Sequence, residues 1–519
     1  MDLFEITITL LIVGAMLAAL ARRLGAPYPA FLALAGAALG LLPGTPILTL
    51  SPELVLTLFV APTLLDAAYD ASPRDLRDNW RPIVGSSVVA VALTVAAVAG
   101  AARWLQPDMP WAVAIVLGAI VAPPDASAAT AVLRFLRPPH RVLVILEGES
   151  LFNDATALLI YRVGLALAVG TWMGWADVPW LVVSLVGGIA LGLTLGKVFP
   201  WLVSPIEDGA TAVIVQFVST FALWILATRL GVSPILTLLF FAMTVARRTP
   251  KRMNAHLRLQ TNTVWEVAVF VLNVLAFILA GQQLRPILAN LGGVDWRGHA
   301  AFGAAILIVC IVVRMAWVVS IAAALRGLNR ALRSRLRRPL YVPSLGGSLI
   351  ISWCGMRGVV TLATALALPE DPAGAFPFRD LILLAAFAVV LGTLVLQGLT
   401  LRPLMSSLRL QGDDVIAHEA ALARTRAAEA ALAALEGKVD SGAMALRAEY
   451  ERRRSSDRSP AAQLEAEHEH RIVAVRAERQ TILALRRSGE IGDDAFHIVE
   501  QELDWVEMYV DQRARGAQQ

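Results

Sequence analysis

The sequence predicts an all-α polytopic membrane protein, with thirteen transmembrane helices in residues 1–410 and a cytoplasmic helical domain in 411–519. Three observations carry this. Of 519 residues, 57% are hydrophobic and the mean hydropathy is +0.63, far above a soluble globular chain. Apolar runs recur at about the 20-residue length that a bilayer demands. Basic residues are dense in one loop and sparse in the next, as the positive-inside rule requires.

In order, the apolar runs place spans at 4–21, 27–42, 52–70, 82–104, 111–134, 141–169, 178–203, 209–229, 233–247, 262–284, 299–325, 344–369 and 380–402. The start, MDLFEITITLLIVGAML, has acids where a signal peptide needs positive charge, so it reads as a retained first span. Loops after odd-numbered spans hold twenty Lys and Arg, and loops after even-numbered spans hold five. That split places the N-terminus outside and the C-terminus in the cytoplasm, and the scarcity of lysine (Lys197, Lys251, Lys438) beside many arginines suggests a GC-rich bacterial genome and hence a bacterial inner membrane. Trp80, Trp111, Trp180 and Trp353 fall near span ends, where interfacial anchors belong. After about residue 410 the chain turns rich in Ala, Glu and Arg. Helical stretches are expected near 415–437, 461–488 and 493–511, with RRRSSDRSP at 452–460 as a turn or linker. No heptad persists there, so a small helical bundle is favoured over a coiled coil.

Several function classes drop out. The two cysteines, Cys310 and Cys354, lie in apolar runs and imply no disulfide framework. A net charge of +4 gives no reason to expect a nucleic-acid partner. No phosphate-binding G-x-x-x-x-G-K-[ST] loop occurs, so transport would be secondary rather than ATP-driven. No histidine falls in the interior of a span, which speaks against a transition-metal site, and no cofactor is called for.

The chemistry concentrates in EGESLFNDATALLIY, residues 147–161, inside the sixth span. A carboxylate near mid-membrane costs about 2.5–3.5 kcal/mol even on the lenient insertion scale. Glu147, Glu149 and Asp154 within eight residues therefore argue for function. On a helix Ser150 and Asp154 share a face, as do Glu149 and Asn153. That suits a dehydrated ion rebound by oxygen. A second stretch, VAPPDASAATAV at 121–132, puts Pro123 and Pro124 in the fifth span. Proline breaks a helix there, freeing carbonyls beside Asp125; Asp125 capping the following half-helix is the plainer reading. A third, APTLLDAAY at 61–69, places Asp66 toward the inner end of the third span, as a cation ligand or as a hydrated interfacial acid. The fourth, SWCGMRGVVTLATALALP at 352–369, flanks Arg357 with Gly355 and Gly358 and predicts an interrupted twelfth span. Arginine stays charged, so Arg357 needs a buried anion, and Glu149 is the first choice. Arg314 and Glu266 are further intramembrane charges, read as structural.

One carboxylate cannot hold a cation and a proton at once, so competition at Asp154 would couple the two fluxes. An intramembrane hydrolase is disfavoured, since G-E-S-L-F is not G-x-S-x-G and no His base is near. A passive channel fits a single asymmetric carboxylate site poorly.

GESLFND (148–154), APPDASAA (122–129), APTLLDAAY (61–69), CGMRGVVTLATALALP (354–369) and VWEVAVFVLNVLAFILAG (264–281) together resemble the monovalent cation/proton antiporters of the NhaP and NHE type, over residues 4–405. The resemblance implies inverted repeats, spans 1–6 against 8–13, with discontinuous fifth and twelfth spans crossing at mid-membrane. It implies a homodimer and elevator-like motion. Carried over by position, Asp154 is the carboxylate that alternates between cation and proton. Asn153 stands where electrogenic relatives carry a second Asp, which implies electroneutral one-for-one exchange of Na+ (or Li+) for H+. Ser150, Asp66, Asp125 and the backbone of Pro124 match cation-ligand positions, and Glu149 and Arg357 match a structural ion pair. The third-span acid is often Glu, and the broken helix usually reads Thr-Asp-Pro where this chain has Pro124-Asp125-Ala126. Both departures bear on ion preference, and K+/H+ exchange at the same site is the alternative.

Overall fold

A computed structural model of the chain describes residues 3–24, 27–43, 51–125, 129–130, 133, 138–172, 174–203, 206, 208–248, 255–290, 296–331, 343–369, 376–408, 415–437 and 441–456, with scattered positions beyond. Among the described residues there is helix and no strand. The backbone divides into two compact units, Met1–Gly412 and Asp413–Gln519.

The first unit begins with α1 (Leu3–Leu24) and α2 (Tyr28–Leu41). The third run is composite: α3 (Pro52–Val55), a π-helical turn at Leu56–Val60, then α4 (Ala61–Asp70). A short α5 (Pro73–Asp78) leads to α6 (Trp80–Val84), a second π-helical turn at Gly85–Ala90, and α7 (Val91–Leu105). Next come α8 (Trp111–Val121), α9 (His140–Val169), α10 (Val178–Val203), α11 (Gly209–Arg229) and α12 (Pro234–Arg248). The remainder is α13 (Ala255–Gln282), α14 (Leu284–Asn290), α15 (Trp296–Ala331), α16 (Leu345–Trp353), α17 (Val359–Leu366) and α18 (Arg379–Leu408). Eight described helices are long and apolar enough to cross a membrane, and Tyr28–Leu41 and Trp111–Val121 are shorter apolar helices. Of the remaining expected spans, 27–42 and 233–247 are single short helices, 52–70 carries a π-helical turn, the helix in 111–134 stops before Pro123 and 344–369 is interrupted around Gly355 and Gly358.

The outward faces are apolar, as lipid demands: Ile12, Met16, Val183, Trp201 and Val218 are all exposed. Inside, two apolar cores form. The larger draws on α2, α7, α8, α13, α15 and α18; the smaller on α4, α11 and α12. Helix α9 borders both, giving Leu151 to the smaller and Ala157 and Tyr161 to the larger. Close packing depends on small residues where no water drives association. Helices α2 and α13 approach so nearly that a Cβ on Gly36 would overlap the Ile278 carbonyl.

The entry end of α9 is pinned from α5. His140 Nε2 lies 3.2 Å from Asp75 Oδ2. Arg141 Nε donates to Asn79 Oδ1 at 2.5 Å, and Asn79 in turn donates to the Asp75 carbonyl at 2.8 Å. Burial pushes the Asp75 carboxyl up, but the Ser72 hydroxyl, His140 and Arg74 outweigh it and hold it below the usual value.

The second unit holds α19 (Val415–Ala434) and α20 (Ser441–Ser456). Helix α20 runs through Arg452–Ser456, so the first half of the expected linker is helical: the Ala and Glu residues of 443–451 and the arginines that continue them are good helix formers. The expected helices at 461–488 and 493–511 lie almost wholly outside the described residues.

Two outcomes test this packing. Gly36→Val should destabilise by about 1–3 kcal/mol through overpacking, whereas Gly100→Ala, with nothing within 4 Å, should be neutral or gain about 0.5–1 kcal/mol. Thermal unfolding in detergent compares them. For Asp75 the folded value is depressed, so its contribution is present above the unfolded value near about 3.9 and is lost as pH falls through the folded one. Asp75→Asn should therefore lower the melting temperature at neutral pH, and the gap to wild type should close on acidification below that value. A gap that widens would contradict the pinning.

Candidate functional site: the crossing of two interrupted helices

Helix α8 stops at Val121, and residues 122–125 are non-helical. Pro123 and Pro124 cause this, since neither can donate a backbone bond. Helix α16 stops at Trp353, and residues 354–358 carry an extended connection to α17. The two breaks meet. The Asp125 N–H donates to the Met356 carbonyl at 2.6 Å.

Opposite charges complete the crossing. The Asp125 carboxylate lies against Gly358, the residue that opens α17; a Cβ at 358 would overlap Asp125 Oδ2. A carboxylate there faces the positive end of a helix dipole. Arg357, 1% exposed, does the reverse: its Nε donates to the Val121 carbonyl at 3.0 Å and its Nη1 donates to the Gly355 carbonyl. It thus neutralises the carbonyl ends of α8 and α16. Its own N–H donates to Thr393 Oγ1 at 3.0 Å. Trp353 donates from Nε1 to Thr400 Oγ1 at 2.9 Å at the edge of the break.

The expected pair of Glu149 with Arg357 is corrected. Glu149 is bound in bidentate fashion by Arg314, at 2.5 and 3.1 Å, with 2% and 5% of the two residues exposed. Arg314 also donates to the Ile351 carbonyl at 3.1 Å, and it passes so close to Gly355 that no Cβ would fit there. Carbonyls at two freed helix ends satisfy Arg357, so it does not require the carboxylate. The sequence showed Arg314 inside an apolar run but gave no way to align it with Glu149, because the two sit on separate helices.

Helix α9 brings its polar residues to this crossing. Asn153 is wholly buried, and its Nδ2 donates to the Pro124 carbonyl at 2.7 Å, one of the groups the break sets free. Its Oδ1 has no hydrogen-bond partner among the described residues. Asp154, half-buried, hydrogen-bonds to no described residue and lies within electrostatic reach of Asp125. Ser150 is half-buried one turn before it, and Asp66 is half-buried on α4. The expectation that Asp125 caps a following half-helix falls on residues 126–128, outside those described. Among the described residues no cluster of His, Cys, Asp and Glu could hold a metal by side chains alone. What the arrangement offers is an unengaged carboxylate, a neighbouring acid, a hydroxyl and carbonyl oxygens: hard oxygen ligands suited to an alkali cation.

Comparison with known proteins finds one family. The family model described as sodium/hydrogen exchanger, transmembrane, matches residues 8–407. A protein of Mycobacterium tuberculosis named as an uncharacterized Na+/H+ exchanger is 32% identical, covering 92% of this chain and 91% of its own. A sodium, potassium, lithium and rubidium/H+ antiporter of Bacillus subtilis is 25% identical, covering 88% and 71%. The solved structure of the sodium proton antiporter MjNhaP1 from Methanocaldococcus jannaschii superposes with a TM-score of 0.61 at 17% identity, covering 79% of this chain and 99% of that one.

Removing one partner of a buried ion pair costs about 3–5 kcal/mol. Arg314→Met should therefore cost stability on that scale, and Glu149→Gln together with Arg314→Met should recover part of it. Melting temperatures of the purified variants decide this; a double variant no better than the single would contradict the pairing.

Proposed function

The chain belongs to the sodium/hydrogen exchanger family, and on that footing we propose that it is a secondary antiporter exchanging Na+ or Li+ for H+ at Asp154. The observation that carries the reading is the state of Asp154. It is the one acid of α9's GESLFND segment left without a described hydrogen bond, while its neighbour Asn153 is fixed to the Pro124 carbonyl and Glu149 is locked to Arg314. A group that must exchange ligands cannot be committed to a protein partner.

The cation would be held by Asp154 with Ser150, Asp66, Asp125 and the Pro124 carbonyl, an oxygen with a second lone pair besides the one that accepts from Asn153. Cation binding needs the ionised carboxylate and protonation removes it, so each expels the other. With Asn rather than a second acid at 153, a single charge is exchanged each way, which makes the cycle electroneutral. The position of α9 between two apolar cores supports alternating access: one core can shift against the other while the site stays on their border. The charge distribution of the loops supports thirteen spans with the N-terminus outside, the scarcity of lysine supports a bacterial inner membrane, and the family resemblance supports a homodimer. One relative's name includes potassium, so K+/H+ exchange through the same carboxylate is the second reading.

Proteoliposomes with an imposed pH gradient separate these. Sodium and lithium should dissipate the gradient, and Asp154→Asn should abolish the response in protein that still folds. A potassium response at least as large moves the assignment to the second reading. Exchange that survives in Asp154→Asn would exclude Asp154 as the exchange group.

A further inference from the structure

At the His140 end of α9, polar contacts cross from one apolar core to the other. The first turns of α9 belong to the larger core through Val142, Ile145 and Leu146. Helix α5 packs on the smaller core through Leu76. Two side-chain contacts join them: His140 Nε2 to Asp75 Oδ2 at 3.2 Å, and Arg141 Nε to Asn79 Oδ1 at 2.5 Å. Helix α9 has no side chain at Gly148, where a Cβ would overlap Leu76 Cδ2, so α5 seats directly on it. Helix α5 also follows closely on α4, the helix of Asp66, while α9 carries Asp154. The contacts therefore tie together two helices of the proposed site, across the border along which one core would shift against the other.

One of the two contacts can change its charge. Histidine is the side chain that ordinarily gains or loses a proton between about pH 5 and 8, and 26% of the His140 side chain is open to solvent. Despite its partial burial, the Asp75 carboxyl is held below its usual value by Ser72, His140 and Arg74, and it stays ionised throughout that range. With the ring protonated the contact is an ion pair. With the ring neutral, the attraction between two net charges is gone. The other charged and titratable groups on the surrounding elements are mostly exposed and screened by water and salt. They are Arg74, Arg77 and Asp78 on α5, Arg81 on α6, Asp70 on α4, Glu147 on α9, and Arg247 and Arg248 closing α12. Asp66 and Tyr69 are half-buried on α4, and Arg141 is held by Asn79. Helices α8 and α16 carry none, and α7 has Arg103, at the Trp111 end of α8.

We propose that His140 and Asp75 form a proton-operated latch: the charged pair holds the two cores together at this end of α9, the pair parts as the cores shift, and loss of the histidine proton frees that shift. This rests on the antiporter reading above. By the loop charges this end faces the cytoplasm, so a rise in cytoplasmic pH quickens exchange.

The test uses the whole protein in proteoliposomes and separates KM from kcat. Competition at Asp154 acts on KM, whereas the latch acts on the maximal rate at saturating sodium. As pH rises through the histidine range, the wild-type maximal rate should climb about threefold to fivefold, the scale of one partly exposed ion pair. His140→Gln, which carries no charge, should hold the higher rate at every pH. His140→Arg, which is always charged, should hold the lower one. KM should follow pH in both as in wild type, and Asp75→Asn should behave as His140→Gln. A maximal rate that keeps its wild-type pH dependence in His140→Gln, or an Arg variant as fast as the Gln variant, overturns the latch while leaving Asp154 exchange standing. Hydrogen exchange of the α5 amides reads the latch without transport. Corrected for its intrinsic pH dependence, protection over Pro73–Asp78 should fall as pH rises in wild type and stay low at every pH in His140→Gln. Protection that does not change with pH in wild type removes the latch. A wild-type protein that loses this protection but exchanges no cation removes the antiporter reading and keeps the latch.

Discussion

Breaking a helix inside a membrane exposes backbone groups that lipid cannot satisfy, each at a cost of several kcal/mol. This protein breaks two, and they answer one another. The Asp125 N–H reaches the Met356 carbonyl, Arg357 takes the carbonyls of Val121 and Gly355, and Asn153 takes that of Pro124. Charge follows the same logic, with a carboxylate at the opening of α17 and a guanidinium where α8 and α16 close. Small residues make this possible: at Gly355 the space is occupied by Arg314, and at Gly358 by Asp125. The crossing is thus a polar structure held by its own parts. What it leaves over, a half-buried Asp154 within reach of Asp125, is what an ion can use.

The Glu149–Arg314 pair belongs to the same economy. A bidentate pair this deep adds little net stability, because desolvation offsets most of the attraction. Its effect is geometric. It fixes α9 to α15 one turn from Asp154, with the Ile351 carbonyl as a third point. The entry end of α9 is held separately through His140 and Arg141. Asp154 therefore rides on a helix anchored at two levels and bordering both cores.

Much of this could be read from residue order, where the signal is local. Pro123-Pro124 and the glycines around Arg357 mark the breaks because proline and glycine act on their own backbone. The acids of GESLFND mark α9 because charge in an apolar run is costly wherever it lies. Pairings between helices were not legible. Glu149 could have met either Arg314 or Arg357, and only the crossing, which satisfies Arg357 by carbonyls, decides between them. The two π-helical turns have no sequence signature beyond nearby Pro62 and Pro82. Helix α20 was hidden by a run of arginines and serines that reads equally well as a turn.

Competition between cation and proton for a single carboxylate is the core of the account, and equilibrium binding of radioactive sodium to the purified protein tests it without transport. If one group takes either ligand, lowering the pH below the titration of that group should weaken apparent sodium affinity by about tenfold per pH unit, with the number of sites unchanged. A site count that falls with pH at constant affinity, or sodium binding indifferent to pH, would contradict competition at one carboxylate.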